Sequence, residues 1–108
     1  MKALAALAGA LAFLLAPQQA GSGTYSAPAS VHQAIVYWFG SHWREAENVS
    51  WCESRWNVYA QNGQYLGLFQ MGSSERARYG HAWTAWGQAR AASRYWRVAG
   101  WRPWACRP

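Results

Sequence analysis

Val49–Met71, with the sequence VSWCESRWNVYAQNGQYLGLFQM, is the stretch that decides the fold. It contains one carboxylate, Glu53, set between aromatic side chains, and Cys52, one of the two cysteines of the chain, directly before it. The pair Asn62-Gly63 is a strong signal for a two-residue turn between short strands. The segment therefore predicts a helix that ends near Glu53, followed by a small hairpin or an irregular loop.

Apolar residues recur at helical spacing on both sides of this segment. Four helices are predicted, from Ser30 to Gly40, from Ser41 to Glu53, from Gly72 to Gly80 and from Thr84 to Gly100. The candidate N-caps are Ser30, Ser41 and Thr84. The residues expected to face the core include Val31, Ala34, Ile35, Trp38, Ala46, Val49, Cys52, Trp56, Ala85, Gln88, Ala92, Tyr95, Trp96 and Ala99. The prediction is a small all-α single domain with a minor β-hairpin.

The first 29 residues are predicted to lie outside this domain. Ala3–Ala16 is an apolar run that is too short to span a bilayer and suits the core of a secretory signal. Gly21–Ser30 is rich in Gly, Ser, Ala and Pro, which is typical of a linker. We therefore assign residues 1–29 to a signal peptide and linker and residues 30–108 to the domain. Cleavage after Ala20 or after Ala29 is possible, and an uncut membrane anchor is the alternative; no stable membrane insertion is expected after cleavage.

Export would place the two cysteines where disulfides persist, so Cys52 and Cys106 are predicted to pair. A metal site is the weaker alternative, because two cysteines lack a CxxC spacing and the three histidines match no ligand pattern. No metal and no cofactor are therefore expected.

The charge of the chain is strongly positive. The formal net charge is +6, and removal of Lys2 with the signal leaves nine arginines against four glutamates, or +5. Such a surface attracts polyanions, of which nucleic acid and an acidic cell wall are two. The secretory signal favours the wall, and because no base-reading motif is present, nucleic acid is not expected as a partner.

Glu53 is the candidate proton donor. A carboxylic acid held neutral near pH 6–7 can protonate the leaving oxygen of a glycosidic bond, and a helix C-terminus with apolar neighbours is expected to raise the pKa of Glu53. Glu45 and Glu47 lie ~12 and ~9 Å upstream along the helix axis, and Glu75 lies in a first turn. A mechanism with one carboxylate is therefore favoured. The alternative is a structural carboxylate paired with Arg55 or another arginine.

Three motifs resemble the soluble lytic transglycosylases. Glu53-Ser54-x-Trp56-Asn57-x-x-Ala60 resembles their E-S-x-[aromatic]-N-P-x-A, and Gly67-Leu68-Phe69-Gln70 resembles their G-L-M-Q. Gln88-Ala89-x-x-Ala92-x-x-Tyr95-Trp96 follows the register of their later N-I-x-x-G-x-x-Y-L helix. The compact size, the Cys-Glu-Ser triplet and the late cysteine are similar to the lysozyme-like domain of the resuscitation-promoting factors. The resemblance covers roughly residues 31–106.

The resemblance implies a lysozyme-like fold and a monomeric, secreted or cell-wall-associated bacterial enzyme that acts on peptidoglycan glycan strands. It implies cleavage of the β-1,4 bond between N-acetylmuramic acid and N-acetylglucosamine, with Glu53 as the catalytic acid and later the base. Substrate-binding roles are expected for Ser54, Gln70, Tyr65 and Tyr95. In that family the 6-hydroxyl of the muramic acid attacks its own anomeric carbon and leaves a 1,6-anhydro end, so no second carboxylate is required.

The chain departs from the family pattern around the proposed cleft. Val58 replaces a proline, Gln88 stands where the family has asparagine, and the Glu53–Gln70 segment is one residue shorter. Plain hydrolysis by a muramidase therefore stays an alternative, as do a non-catalytic wall-binding module and a cationic antimicrobial or interaction protein. Some of the nine tryptophans, with Trp56, Trp83 and Trp86 as the candidates, are expected to be exposed, where sugar rings could stack on them; the alternative for each is a place in the core.

Overall fold

A computed structural model describes residues 26–108. The elements are α1 (Ala29–Phe39), a 3₁₀ turn (Gly40–His42), α2 (Trp43–Ser54), β1 (Gln61–Asn62), β2 (Tyr65–Leu66), α3 (Ser73–Tyr79) and α4 (Ala85–Ala99). This confirms the coarse prediction of a small, mostly helical domain with one short hairpin. The predicted signal sequence up to residue 25 lies outside the described residues.

The core lies between α1 and α4, which form the most extensive helix pair, and α2 packs beside α1. Val31, Ala34, Ile35 and Phe39 are the buried face of α1, which is the i, i+3, i+4, i+8 spacing of one helical stripe. Phe39 therefore takes the core position that the sequence analysis gave to Trp38, which is only half-buried. The facing side of α4 is rich in alanine, so the two helices approach closely.

Of the three predicted N-caps, only Thr84 is confirmed. Its side chain accepts a hydrogen bond from the backbone N–H of Gly87 at 3.1 Å. The predicted caps at Ser30 and Ser41 are wrong. The N-cap position of α1 is Pro28, two residues before Ser30. α2 begins after His42 because a 3₁₀ turn occupies Gly40–His42, and neither helix start has a side-chain cap.

The hairpin turn lies one residue later than predicted. Gln61 pairs with Leu66 and Asn62 with Tyr65, so the two-residue loop is Gly63-Gln64 instead of Asn62-Gly63. Gly63 has a φ of 59°, and Gln64 is not among the residues with positive φ. A glycine in the first central position is the requirement of a type II′ turn, whereas an Asn-Gly loop would need positive φ at both central residues.

The chain after α4 folds back over the domain, and we call residues 101–108 the tail segment. Its Cys106 forms the predicted disulfide with Cys52 at the end of α2. The indole of Trp104 is buried and donates to the carbonyl of Phe69 at 2.8 Å. The tail segment is therefore held to both α2 and the loop after the hairpin.

Among the described helices, none is both long and apolar enough to cross a bilayer.

Candidate functional site

The end of α2 is shaped by a left-handed backbone. Arg55 follows the helix with φ 53° and ψ 38°, and Trp56 has a φ of 60°. The Arg55 guanidinium Nη1 donates to the carbonyls of Trp51 at 2.8 Å and of Cys52 at 3.3 Å, where a cation complements the negative end of the helix dipole. The charge of Arg55 therefore complements the carboxyl end of α2.

Glu53 is buried more deeply than expected. The sequence predicted a carboxyl group at the margin of the core, but the residue is 0% exposed. One contact comes from the tail segment, because the backbone N–H of Cys106 donates to Glu53 Oε2 at 3.3 Å, next to the Cys52–Cys106 disulfide. The carboxyl group is therefore bonded to the disulfide-linked tail segment.

Ser54 joins the two sequence motifs. Its Oγ lies 2.8 Å from the carbonyl oxygen of Leu68 and 3.0 Å from that of Ser50. The first contact crosses from the end of α2 to the Gly67–Gln70 segment. The hydroxyl is buried, and its single proton is shared between these two carbonyls, so it helps to position the loop beside Glu53.

Gln70 is fully buried and bonded to the protein. Its Nε2 donates to the carbonyls of Gly67 at 3.0 Å and of Ala60 at 3.3 Å, and its Oε1 accepts from Asn62 Nδ2 at 3.0 Å. The residue also has a φ of 49°, which is uncommon for a residue with a side chain. Gln70 therefore ties the hairpin to the loop that follows it.

Gln88 is a positioning residue that the sequence analysis treated only as a core position and as a departure from the family pattern. Its Oε1 accepts from the Leu68 N–H at 2.8 Å, while its Nε2 donates to Val58 O at 3.0 Å and Ala82 O at 2.8 Å. One amide on α4 thus holds three loops around the end of α2. The feature of the sequence that could have indicated this role is a polar glutamine at an inward-facing position of the predicted helix.

The two tyrosines predicted to bind substrate lie on different elements, Tyr95 on α4 and Tyr65 in β2. Tyr95 packs on Tyr79 at 5.1 Å and on Trp104 at 5.0 Å between ring centroids. Burial, with smaller effects from Glu75 and Tyr79, raises the pKa of Tyr95. Trp104 bonds to Phe69 and so connects Tyr95 with the loop. Tyr65 is half-buried in β2.

The tryptophans expected at the surface differ in exposure. Trp83 is 41% and Trp86 48% exposed. Trp56, which the sequence placed on the inward face of its helix as well as among the candidate exposed rings, is half-buried. Its ring packs on Trp51 at 4.7 Å and donates from Nε1 to Glu47 O at 3.2 Å.

Two of the remaining carboxylates, Glu45 and Glu47, have partners other than Glu53. Glu47 pairs with His32 and Glu45 with His42 and Trp101. His32, Trp43, Arg44 and Glu47 are among the residues that line a cavity of about 580 Å³. Within residues 26–108, no group of three or more His, Cys, Asp or Glu side chains is placed to hold a metal ion.

The site thus joins Glu53, Ser54 and the Gly67–Gln70 loop beneath the tail segment.

Comparison of the chain with protein-family models, with curated proteins and with solved structures found no match.

Proposed function

We propose that this chain is a secreted peptidoglycan-cleaving enzyme with a lysozyme-like fold, a lytic transglycosylase that cuts the β-1,4 bond between N-acetylmuramic acid and N-acetylglucosamine. The observation that carries the proposal is the Ser54–Leu68 hydrogen bond, because it brings together the first two of the three motifs that resemble the transglycosylases. Glu53, the first residue of the first motif, is buried.

Backbone strain adds support. In residues 26–108, the non-glycine residues with positive φ are Arg55, Trp56 and Gln70. Two of them directly follow Glu53-Ser54 and the third ends the Gly67–Gln70 motif. Residues held in such conformations cost on the order of 1–3 kcal/mol each and cluster at functional sites.

In the proposed reaction the neutral carboxylic acid of Glu53 gives its proton to the glycosidic oxygen. The 6-hydroxyl of the same muramic acid forms the new bond to the anomeric carbon as the bond to the leaving sugar breaks, and Glu53 takes up the hydroxyl proton. The proposed reaction requires Glu53 to be in its acid form when the glycan binds. Because the substrate supplies the nucleophile, the proposal agrees with carboxylates at Glu45 and Glu47 that bond elsewhere.

The buried position of Glu53 sets a condition on this mechanism. Glu53 must become accessible before a glycan can reach it, and in the structure its Oε2 accepts from the Cys106 N–H of the tail segment. The disulfide keeps Cys106 next to Cys52.

The test compares Glu53→Gln with the parent and with Glu47→Gln on purified cell wall. Loss of the proton donor should lower turnover by about 10²–10⁴-fold, whereas Glu47→Gln, which removes another acid of the same helix, should stay near the parent value. Mass spectrometry of the products should detect 1,6-anhydro ends; reducing ends would indicate a muramidase. Parental turnover by Glu53→Gln would refute a catalytic Glu53.

A second candidate is a non-catalytic wall-binding module, which the complete burial of Glu53 favours. Under this hypothesis the parent binds purified wall but releases no sugar products, and Glu53→Gln binds equally well. Detection of products from the parent that disappear in Glu53→Gln would exclude it.

A further inference from the structure

An aromatic groove lies where the start of α1, the start of α4 and the loop before β1 meet. Its cavity is about 550 Å³, and Tyr59, Trp83 and Trp86 form its aromatic walls. A second cavity of about 460 Å³ shares Tyr59 and Trp83 with the first and adds Gln61. The Tyr59–Trp83 ring pair therefore borders two adjacent cavities, each in the size range of small-ligand sites. We call the two cavities together the aromatic groove.

The rings of this groove are unusually open to solvent. Tyr59 is 69% exposed, and its ring lies 6.0 Å from that of Trp83 with only 22° between their planes. On the other side of Trp86, Tyr37 is 65% exposed with its ring centroid at 4.7 Å. Four of the six large hydrophobic side chains exposed in residues 26–108 are therefore aromatic and belong to this face.

The aromatic groove is also uncharged. The described part of the chain carries nine arginines and four glutamates, yet no charged side chain lines either cavity. One titratable neighbour is His81, whose ring stands edge-on to Trp83 at 4.7 Å. Burial and the nearby Arg76 lower the pKa of His81, which favours its neutral form. On a strongly basic chain, a neutral surface matches a neutral ligand better than a polyanion.

Polar groups stand around the rings in positions suited to hydroxyl and acetamido groups. The amides of Gln33 and Gln61 and the hydroxyl of Ser30 belong to exposed residues that line the groove. Flat aromatic faces flanked by amides and hydroxyls can stack on the apolar face of a pyranose and hydrogen-bond its edge.

We infer that the aromatic groove binds a neutral glycan chain of N-acetylglucosamine-type sugars, with one ring stacked across Tyr59 and Trp83. None of the lining residues is Glu53, Ser54, Gln70 or Tyr95. The inference therefore does not depend on cleavage at Glu53 and would hold if the chain were only a wall-binding module.

The test is calorimetric titration of the full chain with a neutral tetramer of N-acetylglucosamine. The parent should bind, and its affinity should change less than twofold between 20 and 500 mM NaCl, because no ion pair is formed. Trp83→Ala and Tyr59→Ala should each weaken binding at least fivefold. Trp83→Phe, which keeps an aromatic face, should recover most of the affinity.

Val98→Ala is the matched control, since Val98 is 73% exposed outside the groove, and it should bind as the parent does. A thermal melt of each variant reports whether it is folded. The inference is overturned if the parent does not bind the tetramer, if folded Trp83→Ala binds like the parent, or if the groove binds only a polyanion and loses it with salt. If the parent forms a dimer that Trp83→Ala does not form, and the parent binds no sugar, the groove is instead a surface for self-association.

Discussion

Gly67 shows how a single residue position constrains the candidate site. Its φ is 80°, and a Cβ built there would lie 2.4 Å from Gln88 Oε1 and 2.6 Å from Gln88 Cδ. The same Gln88 oxygen accepts from Leu68 N–H. A side chain at position 67 would therefore push away the amide that holds three loops around Glu53. Gly63 also has positive φ but has nothing within 4 Å of the Cβ position.

We predict that Gly67→Ala is more destabilising than Gly63→Ala. Both variants incur the cost of a left-handed alanine, about 1–2 kcal/mol, but only Gly67→Ala adds a steric clash, typically another 1–3 kcal/mol. Urea unfolding of the two variants measures the difference. Equal losses would mean that the Gln88 side chain moves aside at no cost.

At the scale of elements, the tail segment is docked on α2 through a polar contact as well as the disulfide. Trp101 Nε1 donates to Glu45 Oε1 at 2.9 Å. This hydrogen bond, followed by the hydrogen bond and charge of His42, lowers the pKa of Glu45 below its ordinary value of 4.5, against an opposing effect of burial. The folded state therefore favours the charged carboxylate.

We predict a corresponding loss of stability in acid. Because the folded-state pKa of Glu45 is lowered, its stabilising contribution is present above pH 4.5 and is lost as the pH falls through the folded-state value. In Glu45→Gln this contribution does not titrate, so the difference in free energy of unfolding between parent and variant should shrink from pH 6 to pH 3. Repeating the comparison in a Trp101→Phe background should reduce the effect. A difference that is constant with pH would contradict the prediction.

The sequence predicted the boundaries of a helix well where those boundaries are set by residues close to them in the chain. Thr84 and Gly100 bracket α4 because a cap and a helix-ending glycine act within a turn of the helix. The predicted start of α2 was wrong because Ser41 lies within the 3₁₀ turn Gly40–His42. The predicted hairpin loop was wrong because the pairing of the two strands, more than the Asn62-Gly63 pair, determined the register.

The candidate site was less predictable for the same reason. The helical period indicated that Glu53 lies near the core, but its hydrogen bond partner Cys106 is 53 residues later in the chain. Gln88 likewise acts on Leu68 and Val58 across long sequence separations. Such contacts depend on how the tail segment and α4 pack, which no local pattern encodes.

For the whole molecule, the Cys52–Cys106 disulfide closes a loop with a sequence separation of 54. This loop contains the hairpin, α3, α4 and most of the tail segment. A domain of this size has a modest core, so a crosslink that restricts the unfolded chain contributes a large part of its net stability.

We predict that a Cys52→Ser, Cys106→Ser double variant loses about 4 kcal/mol in free energy of unfolding, by the chain-entropy model. Urea denaturation of the variant, with the reduced parent alongside, measures this loss. A loss below about 1 kcal/mol in both would show that the tail segment is held by noncovalent contacts such as those of Trp104.

The position of this crosslink also determines how the domain would respond to mechanical tension. A force applied between residue 26 and residue 108 passes through the disulfide, so the residues between Cys52 and Cys106 are shielded from it. Stretching the oxidised chain would release α1 and α2 alone, a gain in contour length of roughly 80 Å, whereas the reduced chain could extend by several times that length. A molecule pulled at both ends would therefore keep the segment between Cys52 and Cys106 unstretched, while removal of α1 would expose the core face of α4.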